Sequence, residues 1–161
     1  MTAYTLAAAF ALIGSAAVAQ DLVPYSQAGG WDVVVDTTLG NGCFLTSEFE
    51  DGSTVRIGFN RTAGNGYVAA FNENWGDIVD GESYPITFLL DEEQYDGAAT
   101  GMHLDALPGA VISFDSVDFL SDLAARNTMT LQSEGEDVMM IDLSGSDEAV
   151  AETIACQEAQ G

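Results

Sequence analysis

Two cysteines, one histidine and several knots of carboxylates are the residues of this 161-residue chain whose types could do chemistry. Cys43 and Cys156 have no Cys-x-x-Cys partner, and the single histidine, His103, stands alone, so a metal pair is a poor reading. In an oxidising compartment two such cysteines close as one disulfide. Closing a loop of about 110 residues removes unfolded-state entropy on the order of 4 to 5 kcal/mol in the chain-entropy model. His103 could serve as a catalytic base only beside a nucleophile. Ser113 and Ser116, with an Asp nearby, are the candidates for a small hydrolase, yet no Gly-x-Ser-x-Gly elbow marks either. A histidine between Met102 and Leu104 reads more simply as a strand residue, so no catalytic residue is assigned and the protein is read as not an enzyme.

Asp91-Glu92-Glu93 with Asp96, and Glu134 with Glu136 and Asp137, are the densest acidic knots, and hard oxygen donors suit calcium. Neither follows the EF-hand spacing, and both fall where turns are expected. Solvated hairpin tips are therefore the reading, with no metal or cofactor assigned and a calcium-binding secreted protein kept as the alternative. The remaining candidate is Trp75, in the loop Asn74-Trp75-Gly76-Asp77-Ile78-Val79-Asp80-Gly81, where a large aromatic in a Gly- and Asp-rich connection can anchor a partner. The competing expectation is that Trp75 folds back over one end of the fold.

Charge narrows the partners. The chain carries 26 Asp and Glu against Arg56, Arg61 and Arg126, for a net charge of -23. Such a polyanion repels phosphate backbones and anionic headgroups, which excludes nucleic acid and anionic membrane docking as partners. A protein or envelope ligand is what remains, bound by a chain expected to be a monomer.

These residues are positioned by short apolar or alternating runs between Gly, Asn and Asp turns, the pattern of antiparallel sheets. The runs are Trp31 to Asp36, Cys43 to Phe49, Thr54 to Asn60, Tyr67 to Phe71, Tyr84 to Leu90 and, more weakly, Tyr95 to Leu104. After Pro108-Gly109 the pattern changes, with a run from Val111 to Phe114 leading into a helical segment. Val117, Leu120, Leu123 and Ala124 then recur at helical spacing behind a Ser116 cap. Thr128 to Leu131 and Val138 to Leu143 read as a closing hairpin. Ser146 is expected to cap a last helix that packs through Val150, Ala151 and Ile154. The fold class is therefore mainly β, an antiparallel β-sandwich or meander with one or two short helices and one disulfide.

Ahead of this lies an apolar run from Thr5 to Val18 that ends in Ala17-Val18-Ala19, the small-x-small form of a signal-peptidase site. Residues 1–19 are read as a signal peptide and 20–161 as one exported β-rich domain.

Trp31-Asp32-Val33-Val34, a strand bearing Cys43, Thr128-Met129-Thr130-Leu131 and Ile141-Asp142-Leu143-Ser144-Gly145-Ser146 together resemble the invasion-associated locus B family. That resemblance implies a secreted bacterial β-sandwich protein and carries no catalytic residue onto these positions. The function expected is that of an exported, non-catalytic binding or accessory protein of the bacterial envelope, periplasmic or secreted, with its ligand left open.

Overall fold

The computed structural model describes residues 21–116 and 118–161, so the expected leader and Val117 lie outside it. β1 (Leu22–Ala28), β2 (Trp31–Asp36), β3 (Gly42–Glu48), β4 (Thr54–Asn60) and β5 (Asn65–Phe71) form a meander. β6 (Ser83–Leu90), β7 (Glu93–Leu104) and β8 (Leu107–Phe114) form a second, and β9 (Thr128–Ser133) and β10 (Glu136–Asp142) make a closing hairpin. Helix α1 (Asp118–Ala124) bridges β8 and β9, and α2 (Ser146–Ala159) follows β10. All pairings are antiparallel, in the order β1-β2-β3-β4-β5-β8-β7-β6-β9-β10.

Alternation decides which side chains face inward. Leu45, Val55, Ile57 and Val68 on the first meander share one buried cluster with Phe88, Met129 and Ile141 on the second half, and with Leu120, Leu123 and Val150 of the helices. Each fully buried apolar side chain of this kind contributes roughly 1.5 to 3 kcal/mol against exposure. Phe44, Tyr67 and Phe71 point the other way and form a smaller outer cluster. Gly58 and Gly109 make room for it, because a Cβ there would strike Phe44 and the Phe71 ring. Aromatic rings lying across glycines pin strand register.

α2 closes the end of the sheet formed by β1 to β3. The Cys43–Cys156 disulfide spans 113 residues and joins Val33 and Val35 in a third buried cluster. Gln157 reinforces it by accepting from the Cys43 backbone N–H at 2.9 Å, while the Trp31 indole donates to the Ser144 carbonyl at 3.2 Å. Gly29 and Gly145, both with positive φ, touch backbone to backbone where the β1–β2 turn meets the start of α2.

Four expectations need correction. β1 went unread because Leu22–Ala28 is mostly exposed and includes Pro24, so it lacks an apolar alternation. β8 begins at Leu107, ahead of the expected Val111, so Pro108-Gly109 lies inside the strand. The Pro108 carbonyl accepts from Asn72 N at 3.0 Å, Gly109 takes the Phe71 ring, and the chain reverses at Asp105, with φ 55°. In α2 the buried stripe is Ser146, Ala149, Val150, Thr153 and Cys156, so Val150 packs as expected while Ala151 and Ile154 are exposed. The disulfide sets that rotation, and Thr153 satisfies its buried hydroxyl on the Ala149 carbonyl at 2.7 Å. Finally, the cap of α2 is Gly145, not Ser146, whose buried hydroxyl has no hydrogen-bond partner. Ser116 does cap α1, accepting from Asp118 N at 3.1 Å.

Replacing both Cys43 and Cys156 by Ser is expected to remove about 4 to 5 kcal/mol at most. Urea unfolding followed by circular dichroism measures this, and a midpoint unchanged by the double substitution would refute the staple.

Candidate functional site

An apolar cavity of about 280 Å³ opens beneath the loop that carries Trp75. Its floor is Val68 and Ala70 on β5 and their cross-strand partners Ile112 and Ala110 on β8. Ala99 on β7 adds a third small residue. The inward positions of the sheet are otherwise filled largely by Val, Ile, Leu, Phe and Met, so three alanines meeting at one place leave the space. Val138 on β10 also lines it, at the far end of the strand order from β5. In a flat sheet those two strands would stand about 24 Å apart. The sheet must therefore curl for both to meet one cavity, which gives the sandwich-like core.

The mouth has a backbone cause. The ladder between β6 and β9 runs from Leu90 to Thr87 and stops there, at Gln132. Pro85, just beyond, has no N–H to continue it. Ile86 and Ser133 border the cavity where the ladder ends, and Val138 sits at a register shift of β10.

The loop forms the roof by successive turns. Asn72 anchors its start, donating from Nδ2 to the buried Ser53 hydroxyl at 2.8 Å and accepting on Oδ1 from Asn74 N at 2.8 Å. Trp75 N donates to the Asn72 carbonyl and Ile78 N to the Trp75 carbonyl. At the other end Val79 N donates to the Tyr84 hydroxyl at 2.9 Å, and Gly81 and Gly101 exchange hydrogen bonds with one another's strand neighbourhood, Gly81 N to Gly101 O and Gly101 N to Glu82 O. Trp75 is half-buried and packs on the core, as its folded-back reading expected, yet it also lines the cavity. Asn74, Gly76 and Asp77 are exposed at the entrance.

The other candidates fall elsewhere. His103 Nδ1 lies 2.6 Å from Asp80 Oδ1, at the exposed surface. His103 pairs with Pro108, five residues along β8 from Ser113, a distance of about 17 Å. Ser113 is thus out of reach, and Ser116 lies further along the chain beyond the end of β8. The acidic knots serve turns: Asp91, with φ 54°, accepts from the backbone N–H groups of Asn127 and Thr128, both at 3.0 Å. Those bonds, Asn127 first, hold its carboxyl below the ordinary 3.8 against the opposing pull of desolvation. Glu93 pairs with Arg126 at 2.6 Å, and Asp137 accepts from Gln132 at 2.6 Å. Among the described residues no three His, Cys, Asp or Glu side chains converge on a common point.

Sequence reasoning found Trp75 but not the cavity. Its floor residues Ala70, Ala99 and Ala110 are scattered along the chain, and no local pattern joins them.

No protein-family model matches the sequence, and no curated protein matches it. Among solved structures, the chain is similar to the crystal structure of invasion associated protein B from Bartonella henselae. The TM-score is 0.58 at 16% identity, over 83% of this chain and 97% of that one, a likeness of fold. It agrees with the resemblance read from Trp31 to Val34 and from Ile141 to Ser146.

Two outcomes follow. A carboxylate held below its ordinary value contributes stability above that value and loses it as the pH falls. Asp91→Asn keeps a residue that tolerates φ near 54° but removes the charge. Its melting temperature is expected to lie below the parent's at pH 7, with the gap closing as the pH drops below 3.8; a gap independent of pH would disprove the charge's role. A Cβ at Gly101 would strike the Val79 carbonyl and press on Ile78 and Tyr84. Gly101→Ala is therefore expected to lift the loop, red-shift the emission of Trp75 and cost about 1 to 3 kcal/mol. Trp31, 3% exposed, provides the unshifted reference.

Proposed function

We propose that this is an exported, non-catalytic binding protein of the bacterial envelope that acts as a monomer and holds its ligand in the cavity beneath Trp75. The observation that carries the reading is the cavity itself: apolar, close in size to the lower end of small-molecule sites, floored by alanines and roofed by a half-buried tryptophan. The leader-like Thr5 to Val18 run and a disulfide linking distant segments support export, since such bonds persist outside the reducing cytoplasm. The fold of a bacterial invasion associated protein supports the envelope assignment. A net charge of -23 favours a monomer through repulsion between copies.

The cavity can be tested by filling it. Ala110→Leu places a larger apolar side chain on the floor, a change that commonly leaves stability equal or raises it by about 0.5 to 2 kcal/mol. Adamantylmethanol, a neutral apolar cage, is expected to raise the melting temperature of the parent and perturb Trp75 emission, and to do neither in Ala110→Leu. Equal response of both proteins would place the probe elsewhere and sink the reading.

A further inference from the structure

We infer, building on the cavity reading above, that the ligand is a compact organic cation: an apolar body one or two rings in size that fills the cavity, carrying an ammonium group that meets Asp77 at the mouth. The size follows from the volume. A cavity of about 150 Å³ accommodates benzene, and this one, at about 280 Å³, is nearly twice as large.

The charge follows from what lines the site. Asp77 is the one charged residue among the lining residues, and none of the three arginines is there. An anionic head such as a fatty-acid carboxylate or a phosphate would therefore meet a carboxylate and no compensating cation. The Tyr84 hydroxyl is engaged by Val79 N at 2.9 Å and lies 3.3 Å from Glu82, so it serves the loop first. Asn74 and Ser133 also line the cavity and supply neutral polar atoms. The half-buried face of Trp75 adds an attraction specific to cations, because an ammonium group is drawn to an indole ring.

The surrounding acids work in the same direction at long range. At physiological salt the Debye length is about 8 Å, so carboxylates farther away than this are largely screened, and Asp77, the one acid that lines the cavity, is the one placed to discriminate. That separation makes the proposal testable at a single residue.

The experiment titrates the protein, by calorimetry and by Trp75 emission in physiological salt, with three cages of one shape: adamantylmethylammonium, adamantylmethanol and adamantanecarboxylate. The cation is expected to bind about tenfold more tightly than the alcohol, as befits a charge-assisted hydrogen bond, with the carboxylate weakest. Asp77→Asn is expected to remove most of the cation's advantage over the alcohol, leaving only what the Trp75 ring supplies. Glu158→Gln, which removes an exposed acid on α2 that does not line the cavity, should leave the preference intact. If the cation and alcohol bind the parent alike, the cation assignment falls while the cavity reading stands. A preference undiminished in Asp77→Asn overturns the assignment to Asp77. If none of the three binds, the cavity reading falls with it.

Discussion

The bond between Cys43 and Cys156 sets the terms for the rest of the molecule, because it ties a strand early in the sheet to a helix that follows the last strand. A ten-stranded antiparallel sheet has two edges and, left open, one large apolar face. With α2 held across β1 to β3, that face is covered at one end, and the Trp31 to Ser144 hydrogen bond and the Gly29 to Gly145 contact fix how closely the last turn approaches the first. The rotation of α2 obeys the same tie. Cys156 must face the sheet, so Thr153 and Ser146 are carried inward with it and Ile154 is carried outward, although apolar content alone would choose otherwise.

Beyond that clamp, the sheet's curl does the work of a second layer. Inward residues of β3 to β5 share their cluster with those of β6, β9 and β10, and α1 plugs the side through Leu120 and Leu123. Phe119 of α1 stacks on Phe114 at 3.6 Å between centroids, with Phe88 meeting Phe114 edge-on, so the helix is seated by aromatic geometry as well as by area. The curl leaves a hollow only where the side chains are too small to meet. Ala70, Ala99 and Ala110 converge there, and the interrupted ladder at Pro85 gives the hollow a way out.

Much of this was legible in the residues. Thr54 to Asn60 alternates so cleanly that its strand bounds could be read directly, and Trp31 to Asp36 likewise. The cysteine pairing followed from there being two thiols and no metal-ligand spacing. What escaped reading shares a physical reason: it depended on partners distant in sequence. β1 is a strand because β2 offers it a ladder, not because its own side chains alternate. Pro108-Gly109 stays extended because β5 accepts it, Phe71 filling the space that glycine leaves. Trp75 could be singled out as a large aromatic in a polar loop, but whether it covered the core or bordered open space turned on three alanines spread over forty positions, and it both packs on the core and lines the cavity.

The two ends of the core also differ in how easily they come apart. Around α2, covalent closure, paired glycine backbones and large buried side chains all oppose separation. Beneath the Trp75 loop, alanines replace the larger residues, the β6–β9 ladder is short and the roof is held mainly by turn hydrogen bonds. Local opening is cheapest where few apolar contacts and few protected backbone hydrogen bonds must be broken. The amide protons of the loop thus belong to the part of the molecule that exchanges with solvent first, while those of β2 and β3 wait for the whole chain to unfold. The protein is in this sense a rigid frame with one yielding corner, and the yielding corner is the one with room inside it.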